Sequence, residues 1–527
     1  MPRPPQPLHI FRKDLIHLWP ETLVVVLLFI AFAAFVPGNW QGSPYAPIVQ
    51  LVSFLIHLLL PISWLVLISR LIHDENLVGD RQFWTSRPYH WASLLAAKAL
   101  YVLAFIYFPF LIMQAFLLKQ VGLHPATAIP GLLSNLLLIS AIFIIPVMAI
   151  AAVTSNFTRL LLSVIGGILY VLVAFGVAVW AIFERMRPPA LNSTLLWVVL
   201  LFCAASLVYQ YATRRTRIAR VILLATPVVL VLVALTLPAA PFIRAAYSAK
   251  AGTGDPTLGD FPQQFRPQAA SPGALVTFRN EAHVQIPFSI ANADKDSAYR
   301  IRGVSATFIS GSVRWQSAFI QPEQEQQITA GQPVTAVTIP IPLNIYNQLK
   351  DAPADVHLVL ATEHLKLEKP QTWNANTPAF DVPGYGRCKF ATLNSDTDAE
   401  AAAPACFYAL RTPEINFASA KLNTGSCSVP GSVSAQTRLS QPVNLPNLFD
   451  PVATLPLTFQ TGDPNPKHHY HLCPGAPISF VSASQNGKIR FEVDVKGLIL
   501  DNYALRVPPP PTSPQPLDTQ PGSPTIE

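Results

Sequence analysis

"VILLATPVVLVLVALTLP", from Val221 to Pro238, is an 18-residue stretch without a charge. As a helix it spans about 27 Å, close to the thickness of a bilayer's hydrocarbon layer. Whether it crosses decides on which side of a membrane everything after it lies. The basic run "RRTRIAR" (214–220) precedes it, and such runs are retained on the cytoplasmic face. Working back from it, six more apolar segments are long enough to span: 21–37, 48–69, 93–118, 129–153, 161–183 and 191–212, with 221–240 as the seventh. The first is short and the third is broken by Pro109, a break that a helical bundle tolerates. With the N-terminus inside, twelve Lys and Arg fall in cytoplasmic segments. Three, Lys119, Arg185 and Arg187, fall in the short outer loops. That bias sets the orientation, and an odd number of spans places the chain after Pro241 outside.

Composition divides the chain the same way. Only 12% of the 527 residues are charged and 51% are hydrophobic. Residues 1–250 carry 17 basic and 6 acidic side chains, and residues 251–527 carry 19 and 23, which together give the net charge of +7. The basic excess lies in the loops of the apolar half, where membrane orientation accounts for it without nucleic acid. The expected architecture is an α-helical polytopic membrane domain of about seven spans, followed by an exported, all-β, sandwich-like domain. The parts are an interfacial helix (1–20), a transmembrane domain (21–242), a linker (243–273), a β-rich domain (274–507, as one domain or as two lobes at 274–370 and 371–507) and a Pro-rich disordered tail (508–527).

The start, "MPRPPQPLHIFRKDLIHLWPE", is polar and Pro-rich with no small-residue cleavage site, so no secretory signal is expected. Phe11, Leu15, Leu18 and Trp19 form a stripe with Arg12, Lys13 and Asp14 off it. This reads as an amphipathic helix in the membrane interface or as an ordinary flanking helix.

Beyond Ala274 the hydrophobic period becomes two. Val284, Ile286, Phe288 and Ile290 share one face, as do Val337, Ile339, Ile341 and Leu343. In "ISFVSASQNGKIRFEVDV" the Asn486-Gly487 pair predicts a tight hairpin turn. Of five cysteines, Cys203 lies in a span. Cys388, Cys406, Cys427 and Cys473 form an even set in the exported part, where disulfides persist. Four cysteines allow three pairings.

Several stretches invite chemistry. "KHHYHLC" (467–473) offers His468, His469, His471 and Cys473, but without zinc spacing or a second ligand pair. A polar surface loop is the expected reading, with no metal and no cofactor. His57 lies inside the second span, where an ionisable group marks a functional candidate. A neutral histidine hydrogen-bonded between helices is the plainer reading. Intramembrane acids are nearly absent, which disfavours a proton-driven transporter. There is no Gly-rich phosphate loop ending in Lys-Ser/Thr, no HExxH and no G-x-S-x-G, so the chain is not expected to be an enzyme by itself.

The loop between the second and third spans, "ENLVGDRQFWTSRPYHWASLLAAK" (75–98), is the remaining candidate. Gly79 permits close approach, Phe83 and Trp84 offer anchors, and the Arg87-Pro88 pair ends any helix there. Its aromatics also fit an interfacial belt. The loop resembles that of the type-2 exporter permeases of the ATP-binding cassette transporters. In that family an acid is followed by a glycine, a short stretch ending in proline, a Leu pair and a Lys. Here these are Glu75, Gly79, "FWTSRP" with Pro88, Leu94, Leu95 and Lys98. The N-terminal "FRKDLIHLWPE" resembles the family's interfacial helix. The resemblance covers residues 10–215 or so. It implies a permease subunit of a bacterial inner membrane, with the N-terminus cytoplasmic and the C-terminal domain periplasmic or extracellular. A separate ATPase subunit would dock on Glu75–Pro88, and a second permease subunit would complete the dimer. The family usually has six spans; the added span and β domain open a role for an envelope partner. The rival is a non-transporting envelope anchor whose β domain binds a protein or glycan.

Overall fold

A computed structural model describes residues 6–40, 46–75, 90–182, 191–236, 244–249, 255–258, 274–275, 277–278, 280–320, 326–329, 335–374, 379–381, 387–389, 405–409, 417–422, 433–436, 448–456 and 477–507. The chain forms two compact units. One comprises Met1–Glu184, Pro189–Pro238 and Lys366–Gln485; the other comprises Arg185–Pro188, Ala239–Leu365 and Asn486–Glu527.

The first unit is built on helices. Among the described residues, six are long and apolar enough to cross a membrane: Trp19–Pro37, Ile48–His73, Trp91–Gln120, Ile129–Val153, Leu195–Thr213 and Thr216–Val233. A further helix, Phe157–Ile182, occupies the place of the fifth expected span. The bundle core contains Phe29, Phe32, Leu60, Trp64, Tyr101, Phe110 and Met148. Opposite it, side chains such as Ile30, Phe54, Leu162 and Val221 are well exposed. In water such rows would be a liability; hydrocarbon solvates them. The last helix starts at Thr216, five residues earlier than the hydropathy placed it. It takes in Arg217 and Arg220, because Arg220 finds an acceptor: its guanidinium donates to the Val153 carbonyl at 2.9 and 3.2 Å.

Pro109 does not break the third span, contrary to the sequence expectation. The chain widens into a π-helical turn at Leu103–Tyr107 and continues as Phe108–Gln120. The next span does the same at Ser140–Ile144, just before Pro146. A proline lacks the amide hydrogen and crowds the carbonyl four residues back; a wider turn accommodates both defects. The two wide turns meet, with the Tyr107 hydroxyl 2.6 Å from Ser140 Oγ. Ser140 donates to the Leu136 carbonyl, so Tyr107 is the donor to Ser140.

Strands complete this unit. Ala379–Asp381, Arg387–Lys389, Ala405–Ala409 and Val452–Pro456 make an antiparallel sheet. In it Cys388 is buried and stands directly opposite Cys406 in backbone register. Phe407 and Val452 pack on Leu118, Val121 and Ala128 at one end of the helices, where the Arg387 amide donates to the Val121 carbonyl. Gly122 turns the chain there with φ +82°.

The second unit is mostly antiparallel sheet. Glu281–Ala291 pairs with Thr335–Pro342 in the register Val284↔Ile339 and Ile286↔Val337. All four side chains are buried, as the alternation predicted, together with Phe288 and Ile341. Leu343, expected to extend that face, instead opens the helix Leu343–Leu349. Ser297–Ser310 turns at Gly311 into Val313–Gln316. Gly303 on that strand lies under Phe319: a Cβ would fall 1.9 Å from its ring.

The hairpin expected at Asn486-Gly487 does not form. Pro477–Leu498 is one 22-residue strand. Type I′ turns need positive φ at both central residues, and neither Asn486 nor Gly487 adopts one. Ladder pairing along this strand overrides the local turn preference. Up to Ala483 its partner is Phe417–Leu422, and Ile489–Arg490 pair with Ser248–Ala249.

Candidate functional site

The first unit holds two polar groupings, one towards each end of its helices. Helix Gln6–His17 buries Ile10 and Asp14, followed by the buried Leu18; of the apolar stripe read from the sequence, Phe11 and Leu15 pack at the margin and Trp19, which opens the next helix, is exposed. The reason is Lys98. This lysine, fully buried in the third span, reaches Asp14 Oδ2 at 2.8 Å and Glu75 Oε1 at 3.5 Å. Lys13 closes the group, 3.3 Å from the same Glu75 oxygen. Two cations and two anions balance. A lone ammonium among apolar helices would be prohibitive, and its carboxylates supply the missing charge. Burial nevertheless raises the Asp14 carboxyl above its ordinary range, outweighing the downward pull of Lys98.

Around this cluster the same end is laced together. Arg70 pairs with Glu21, and His17 lies 3.4 Å from Asp74. Thr22 donates to the Leu18 carbonyl, so the Tyr101 hydroxyl donates to Thr22 at 2.5 Å. His73 Nε2 lies 3.2 Å from Thr154 Oγ1. The N-terminal helix, the first three apolar helices and the residue that opens the 75–98 loop are thus tied by charge.

Towards the other end, the strand Val452–Pro456 is preceded by Leu448, Phe449 and Asp450. Both apolar residues are buried within the helices. The Phe449 ring lies 5.4 Å from Trp64, 6.4 Å from Phe110 and 6.5 Å from Phe32, meeting all three edge-on. Asn135 Nδ2 donates to the Leu448 carbonyl at 3.2 Å. Asp450 Oδ2 sits 3.4 Å from His57 Nε2, while His57 Nδ1 lies 2.7 Å from the Ser53 carbonyl. A carbonyl only accepts, so Nδ1 donates to Ser53, and Nε2 is the ring nitrogen that faces the Asp450 carboxyl. The intramembrane histidine therefore has an acid partner, which the sequence reading did not find.

Of the sequence candidates, Glu75 belongs to the buried charge cluster. Gly79, Phe83, Trp84, Arg87 and Pro88 lie outside the described residues, as do Cys427, Cys473, the 467–473 histidine stretch and the 508–527 tail. Asp14 and Lys13 were missed as site residues, although Ile10, Asp14 and Leu18 recur at intervals of four and Lys98 stands alone in an apolar run. No family model and no curated protein matches this chain.

Proposed function

We propose that the chain is a membrane-spanning permease subunit of an ATP-binding cassette exporter, coupling ATP hydrolysis by a separate ATPase subunit to export or envelope-directed work. The observation that carries this is the pairing of Lys98 with both Asp14 and Glu75. It fastens the interfacial helix and the root of the 75–98 loop to the third span, so a push on the loop reaches the bundle through charges that are costly to separate. In this reading Phe157–Ile182 is a seventh crossing and the N-terminus is cytoplasmic. The C-terminal sheets lie beyond the inner membrane as a sandwich-like domain, and a second permease subunit completes the assembly. The register of Cys388 with Cys406 supports a disulfide between them, since opposed positions of an antiparallel ladder fall within disulfide reach.

One observation favours the rival, a non-transporting envelope anchor: Phe449 fills space among the helices that a permeant would need. Gentle detergent extraction followed by identification of bound ATPase tests the choice. Trp84→Ala and Arg87→Ala are expected to weaken ATPase association at least about tenfold, the loss of one interface anchor. Undiminished association overturns the docking.

A further inference from the structure

The Leu448–Asp450 segment is buried in a place that its own sequence does not require. An antiparallel sheet edge can leave a helical bundle by any polar loop. Here the loop sends an aromatic ring between Phe32, Trp64 and Phe110, and a carboxylate onto His57. Those pocket residues come from three different spans, and all three aromatics are fully buried. Polar groups around the segment are incompletely used. Among the described residues, Trp64 Nε1, Asn135 Oδ1 and Asp450 Oδ1 are buried without a hydrogen-bond partner. Gln114, one helical turn beyond Phe110 and fully buried, has neither amide atom paired. A pocket shaped only to hold this tether would pair such groups or dispense with them, because each costs about 1–3 kcal/mol when buried unmade.

We propose that this pocket is a binding site for an anionic amphiphile, a carboxylate carried on an apolar body, and that Phe449 with Asp450 is a tethered surrogate for it. The aromatic walls take the apolar body. His57 takes the carboxylate in place of Asp450. The free Trp64 N–H, on the residue that packs against Phe449, and the free Asn135 Oδ1, on the residue that holds Leu448, supply a donor and an acceptor for the rest of the headgroup. The choice of an anion rests on His57: its Nδ1 side is engaged by Ser53, leaving Nε2 to face an acid. The groups facing that imidazole are Asp450, the Ser53 hydroxyl and carbonyl, and the Phe32 ring at 4.7 Å. The proposal deepens the export reading by naming a cargo class, and it rests on that reading.

The test uses the full chain in lipid nanodiscs, with radiolabelled palmitate and its methyl ester as probes. Wild type is expected to retain little palmitate. Asp450→Asn, which disturbs no apolar packing, is expected to raise apparent affinity by up to about tenfold, because it weakens the internal occupant that competes for His57. Phe449→Ala is expected to raise it further. Adding His57→Gln to Asp450→Asn is expected to abolish the preference for acid over ester. The proposal is overturned if Asp450→Asn leaves palmitate binding unchanged, or if acid and ester bind alike in every variant. Phe449→Ala is judged only where its thermal transition remains cooperative. No ATPase enters the assay, so its outcome is separate from the co-purification result.

Discussion

The two polar groupings of the helical unit solve opposite problems with similar chemistry. Around Lys98, four charges from the N-terminal helix, the end of the second apolar helix and the third neutralise each other, with Lys13 at the exposed edge. Around His57, one acid arrives from nearly four hundred residues away and brings an aromatic ring with it. The first is a closed set around one cation: Lys98 pairs with both acids, and removing it strands Asp14. The second is an inserted guest, whose departure leaves a host of intact helices. Charge burial therefore acts as a fastening at one end and as a recognition contact at the other.

The sharpest way to break this comparison is Lys98→Ala. Asp14 and Glu75 would remain buried without the central cation, at a cost of about 3–5 kcal/mol. Thermal unfolding in detergent is expected to register that loss, and a shift no larger than that of an exposed lysine would show the cluster to be solvated. Next in size, Phe449→Ala is expected to cost about 1.5–3 kcal/mol, the transfer value of a buried phenylalanine. Its transition should stay cooperative because the helices keep their mutual contacts. A collapse as severe as that of Lys98→Ala would make Phe449 a structural core residue and erase the contrast.

The smallest effect belongs to Asp14→Asn. Because burial raises the Asp14 carboxyl above 3.8, the folded protein holds that proton more tightly than the unfolded chain does. Its contribution is thus greatest below 3.8 and is lost as pH rises through the raised value. The amide, which mimics the protonated acid, is expected to change stability at pH 7 by less than about 1 kcal/mol, with Glu75 still beside Lys98. It should also flatten the pH dependence just above 3.8. Unfolding midpoints measured between pH 4 and 7 check both signs.

How far the sequence could be read depended on how local the deciding force is. The paired strands at 281–291 and 335–342 were legible because period-two burial is written residue by residue. The crossing helices were legible from hydropathy in the same way. Asn486-Gly487 misled because its turn preference is local while the ladder on either side of it is not. Asp14 was half visible: a carboxylate at the centre of the Ile10–Leu18 interval needs a cation, and Lys98 was the one charge in its apolar run. Asp450 carried no such mark. Nothing near "NLFDPV" indicates that its acid meets a histidine in the second span, since chain topology alone brings them together.

The wide turns at Leu103–Tyr107 and Ser140–Ile144 have a consequence for how this protein can change. Each holds one residue more than an α-turn, which sets everything beyond it back by about 100° around the helix axis relative to an uninterrupted α-helix. Phe110 looks towards Trp64 on the strength of that phase slip, and so does the row continuing through Gln114. Closing either turn to α geometry with all its residues kept would swing the inner wall outward to the surrounding solvent, whereas deleting one residue from the turn would restore the α count and leave that wall in place. In these two helices a one-residue deletion inside the wide turn is therefore expected to be better tolerated than one in the α-helical stretch on either side of it.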